Sequence, residues 1–133
     1  MAEGSAKLES AAEEIVREMA RAHEDSYGRP ASNLRIAIAD DLLTVVTEVE
    51  LTPAEAALAR AGHTDAVRTT RESFAEVIRP VFEAIVERAT GRRVEGFASR
   101  LAGPAERPWS ADVFLLAPPH PAPPVSDDGA NPS

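Results

Sequence analysis

Residues 34–51 read LRIAIA, then Asp40-Asp41, then LLTVVTEVEL. Two β-prone runs separated by two residues constrain this chain more than any other stretch does. A connection that short joins antiparallel partners only. Asp tolerates the left-handed backbone that such a loop demands. With Asp40-Asp41 as the loop, Ala39 pairs with Leu42, Ile38 with Leu43, Ile36 with Val45 and Leu34 with Thr47. Alternation along the strands gathers Leu34, Ile36, Ile38, Leu43, Val45, Val49 and Leu51 on one face. Arg35, Ala37, Thr44, Val46, Glu48 and Glu50 take the other. The first face carries no charge and the second carries three, so one side of the ribbon is predicted to be buried. A slip of one residue would bury Arg35, which pins the register.

Such a ribbon needs helices over its apolar side, and the flanking sequence supplies them. A first helix is predicted over residues 5–26, with Leu8, Ala12, Ile15, Met19 and Ala22 on one stripe. Gly28 suits its C-terminal cap and Pro30 blocks its continuation. Thr52-Pro53-Ala54-Glu55 is a capping-box start for a short helix that stops at Gly62. A longer helix follows, capped by Thr64 or Asp65. Its stripe is Val67, Phe74, Ile78, Val81, Ile85 and Ala89, widened by Val77, Phe82 and Val86. Pro80 inside it predicts a kink or a break into two helices. Gly91 ends it. Residues 93–101 read as a third strand, with Gly96 marking a bulge. Val94 and Phe97 have opposite parity, which leaves its inward face open. Residues 109–117 read as a fourth strand, whose unbroken VFLLA predicts a central strand covered on both faces.

The order is therefore α-β-β-α-α-β-β. The expected fold class is α+β: a four-stranded, mainly antiparallel sheet with helices packed on one face. Residues 1–117 form one domain. Residues 118–133 hold six of the eleven prolines and read as a disordered tail.

Composition narrows the function classes. The formal net charge of −8 disfavours the phosphate backbone of nucleic acid and anionic membrane surfaces. With no cysteine, neither a disulfide nor a thiolate metal site exists. The first ten residues have no basic flank and no apolar run, so no secretory leader is expected. No apolar run approaches the ~20 residues of a membrane helix. Direct membrane insertion is thus not expected, the chain cannot itself carry an ion across a bilayer, and a cytoplasmic location follows.

Chemistry is sparse. His23, His63 and His120 are isolated in sequence and read as surface residues, so no metal is expected. Asp40-Asp41 reads as a polar hairpin tip. Ser99 lacks a nucleophile-elbow context. No glycine-rich phosphate loop is present. No catalytic constellation is visible, no cofactor is implied, and the chain reads as a non-enzyme. Arg68 and Arg71 share a helix face. With Arg92 they can grip a small anion, or form a solvated face paired with Glu72 and Glu76. Arg29 and Trp109 are candidate partner contacts, against a capping turn for the first and the core for the second. An uncovered edge or face of a small sheet would suit a homodimer.

Several short segments also carry a family resemblance. They are Tyr27-Gly28-Arg29-Pro30, Asp40-Asp41-Leu42, Leu51-Thr52-Pro53-Ala54-Glu55 with Gly62, Val67-Arg68 with Arg71 and Phe74, Thr90-Gly91-Arg92-Arg93-Val94, and Asp112-Val113-Phe114. In this order and spacing, over residues 12–117, the chain resembles the MpsC-type component of a Na+-translocating, membrane-potential-generating system. The resemblance implies an accessory or regulatory protein that contacts a membrane transporter subunit through its cytosolic face. It brings no catalytic residues. Arg29 meets Pro30 without the glycine that family members commonly place between them. Arg100 stands after Ser99 where they often have an acid.

Overall fold

The computed structural model describes residues 2–29 and 31–119. The elements follow the predicted order: α1 (Ala2–Tyr27), β1 (Ser32–Ala39), β2 (Leu42–Glu48), α2 (Pro53–Arg60), α3 (Thr64–Thr90), β3 (Val94–Ala102) and β4 (Trp109–Leu116). The strands make one antiparallel sheet in the order β1-β2-β4-β3. The predicted tail lies outside the described residues from position 120 onward, and so does His120.

The hairpin forms in the predicted register, with Ala39 opposite Leu42, Ile38 opposite Leu43 and Ile36 opposite Val45. Asp40 takes a left-handed φ of 57°. At the far end the register shifts between Ser32 and Arg35, where Asn33 has a φ of 49°. The expected Leu34–Thr47 pair is lost there, and β2 stops at Glu48, so Val49 and Leu51 are not strand residues. The second irregularity lies between Val94 and Gly96 in β3. The extra residue flips the side-chain alternation. That resolves the parity conflict, because Val94 and Phe97 both pack against the same core.

The core lies between the sheet and the pair α1 and α3. Ile15 and Met19 of α1 meet Ile78, Phe82, Ile85 and Val86 of α3 and Leu43, Val45, Phe114 and Leu116 of the sheet. Two predicted stripes are corrected here. The buried residues of α1 run Ala11, Ile15, Met19, Ala22, His23, while Leu8 is exposed. On α3, Val77 and Val81 are 70% and 50% exposed and Ala75 is buried instead. Periodicity finds an apolar stripe but not its edges, and a stripe wider than the contact leaves its flank wet.

Helix ends follow local chemistry where a side chain is available. Thr52 and Glu55 form the full capping box of α2, an arrangement worth about 1 kcal/mol. α3 begins after His63, which makes no side-chain cap, so neither Thr64 nor Asp65 is the cap. α3 continues through Pro80 as one helix. The packing of Ile78 and Phe82 on either side offsets the hydrogen bond that proline removes. Gly28 and Gly91 end their helices at φ 73° and 70°, where a side chain would be strained.

Candidate functional site

Two places on this frame have the makings of a site. The first is the sheet face turned away from the helices. Register alone defines it. Ala39, Leu42, Leu115 and Gly96 form one cross-strand row; Ala37, Thr44, Val113 and Ala98 form the next; Arg35, Val46, Ala111 and Arg100 form the third. Leu42, Leu115 and Trp109 are 45%, 43% and 40% exposed. β4 is therefore central, as predicted, but covered on one face only. An unbroken apolar run cannot distinguish a strand covered twice from one whose second side is an apolar surface.

At the Trp109 end this face deepens into a cleft of about 680 Å³. Val46, Trp109, Leu51 and Pro108 supply apolar wall, while Arg35, Arg107, Glu48, Glu50 and Glu106 bring charge to the same cleft. Trp109 packs on Gly103, whose φ is 93°. A Cβ added at Gly103 would lie 2.6 Å from the indole Cδ1, too close to stand. Gly103→Ala is therefore expected to displace the indole and to strain the turn. Trp109 is the only tryptophan in the chain, so its fluorescence reads this directly. A spectrum unchanged in wavelength and intensity would show that Gly103 does not set the indole.

The second place is a polar seam inside the core. Asp112 of β4 points to the helix side, is buried, and accepts a hydrogen bond from Ser99 Oγ at 2.6 Å. Burial pushes its carboxyl up to about 6, against the pull of Ser99. His23 of α1 is also buried, stacked between Tyr27 and Phe82 at 5.4 and 5.6 Å. Its Nε2 has no hydrogen-bond partner among the described residues. Burial, helped by the nearby Arg71 charge, lowers its imidazole to about 4. His23 and Asp112 line one cavity of about 20 Å³ with Ser99, Ser110 and Arg71. The expectation of a surface histidine thus fails for His23 and holds for His63. Helical spacing could have flagged His23, which continues the four-residue steps of Ala11, Ile15 and Met19. Nothing in the sequence could pair it with Asp112.

The arginines singled out from the sequence are not gathered at one place. Arg68 donates to Asp65 and to the Leu101 carbonyl. Arg71 makes a two-pronged pair with Glu55 at 2.7 and 2.8 Å and lies over the Tyr27 ring. Burial pushes the Glu55 carboxyl up, but its bonds from Arg71 and Thr52 outweigh that and hold it below the ordinary range. Arg92 sits at the hairpin end, donating to the Asp40 and Ala117 carbonyls. The expected partners of this face are corrected too: Glu76 pairs with Arg79, and Glu72 with Arg100. Arg29 pairs with Glu50 at 3.5 Å.

Among the described residues no helix is long and apolar enough to cross a membrane. No group of three or more His, Asp or Glu there could hold a metal ion. A family model described as "Na+-translocating membrane potential-generating system (MpsC)" matches residues 7–102. No curated protein and no solved structure matches the chain.

Proposed function

Because the chain belongs to the MpsC family of a Na+-translocating, membrane-potential-generating system, we propose that it is a non-catalytic cytoplasmic accessory component. In this reading it docks on a membrane-embedded subunit of that system. The uncovered sheet face carries the reading. Contiguous exposed apolar surface on a small domain marks an interaction site. On this face and its cleft Arg35, Arg100 and Arg107 stand against Glu48, Glu50 and Glu106, in a chain of net charge −8. Balanced charge there lets it meet another protein with less repulsion than the chain's net charge would impose. Its breadth over three cross-strand rows suits a protein partner, one of whose side chains can enter the cleft at the Trp109 end.

A photo-crosslinking benzophenone amino acid in place of Leu115, in cells that natively make the protein, tests this. The expected product is one adduct with an integral membrane protein, recovered in the membrane fraction. It should vanish when Val46→Asp is added, and it should not form from the same probe at Val77. Adducts confined to water-soluble proteins would overturn the reading. An adduct with a second copy of this chain would assign the face to a homodimer instead and overturn it equally.

A further inference from the structure

We propose that the cavity between His23 and Asp112 is a binding site for one water molecule, and that through this water the two side chains hold a single proton. This proposal stands apart from the docking reading and does not use the open sheet face.

Three observations carry it. The cavity, about 20 Å³, has room for one water, which needs roughly 10–15 Å³ and two or more polar partners. His23 Nε2 is buried without a partner, a state that costs about 1–3 kcal/mol when nothing fills it. Asp112 is buried with Ser99 Oγ as its one side-chain donor among the described residues, although an ionised carboxylate accepts several bonds. A water between them has two hydrogens to donate. When Asp112 is ionised, the water donates one to its carboxylate and the other to Nε2 of the neutral imidazole. When Asp112 takes a proton, its O–H donates to the water, which still donates to Nε2, so the imidazole keeps its tautomer. The only change is the one proton gained by Asp112.

The surroundings select this pair as the site of the proton. Arg71, from α3, is held by Glu55, from α2, and its positive charge disfavours a second charge on His23. Glu72 is turned to the Leu101 N–H and to Arg100. The Tyr27 hydroxyl is pushed up by burial, against Arg71, so it stays neutral through the same range. Asp112 therefore protonates before His23 does.

The test is long-range ¹H–¹⁵N spectroscopy of the histidine-labelled full chain across pH 7.5 to 4, with His63→Gln and His120→Gln to assign the signals. The expected result is a His23 ring that stays neutral to about pH 4. Its nitrogen shifts should take one step near pH 6, where Asp112 protonates, and its ring proton should show a cross-peak to water. Asp112→Asn should abolish the step. Ser99→Ala, which leaves the carboxyl in place, should move it to higher pH. A His23 that titrates like a free imidazole near 6.5, or a step indifferent to both variants, overturns the proposal. Parallel titrations in sodium and potassium chloride separate the remaining source of positive charge. A step that moves with sodium alone assigns the cavity to Na+ and overturns the proton.

Discussion

Replacing Phe114 by alanine is expected to cost about 3–5 kcal/mol of folding stability, while Leu115→Ala, one residue away, costs under about 1 kcal/mol. Phe114 is fully buried, packed against Phe97 at 5.1 Å, in the core between the sheet and the helices. Leu115 points the other way, onto the open face, with nearly half its surface in water. A domain of this size has only about 5–15 kcal/mol in hand, so the first variant approaches unfolding and the second does not. Equilibrium urea denaturation of both variants measures the contrast. Equal losses would mean that both faces of β4 are covered, the arrangement that an unbroken apolar run suggests.

The second large effect concerns pH. Asp112 has a folded pKa raised from 3.8 to about 6. The stability it contributes is therefore fully present below about 3.8 and is lost as pH rises through 6. His23 has a folded pKa lowered from 6.5 to about 4. Its contribution is present above 6.5 and is lost as pH falls through 4. Each is worth on the order of 3 kcal/mol. On acidification the unfolded chain takes its proton on His23 and the folded chain takes it on Asp112. The two nearly cancel, and this pair leaves stability flat between about pH 6.5 and 4. Asp112→Asn uncouples them. It should stabilise the protein by up to about 3 kcal/mol at pH 7, where an ionised buried carboxylate is removed, and the gain should vanish by pH 4. His23→Gln should do the opposite, matching wild type near pH 7 and gaining on the order of 3 kcal/mol by pH 4. Denaturation midpoints measured at half-unit steps check both. Parallel profiles for all three proteins would show that neither group is buried in the folded state.

How much of this was legible beforehand follows from the range of each interaction. The hairpin register, the capping box of Thr52 and Glu55, the stops at Gly28 and Gly91 and the bulge at Gly96 depend on residues within a few positions of one another. Each was readable from the chain. The extent of burial along α1 and α3 was not, because Leu8, Val77 and Val81 differ from Ile15 and Ile78 only in what stands opposite them. The arginines show the same limit. Arg68 and Arg71 do lie three apart on one helix, yet Arg71 is claimed by Glu55, sixteen residues earlier.

Local pattern was thus enough to settle the order of the elements, the hairpin's pairing and which of its sides is oily. Those depend on alternation and backbone geometry, which any short segment carries within itself. The shared cavity of His23 and Asp112 and the exposure of Leu115, on a strand expected to be covered twice, came only with the packed chain. The first joins groups 89 positions apart in sequence. The second is decided by helices that settle on one side of the sheet and leave the other to water, and desolvation acts on neighbours in space whatever their distance along the chain.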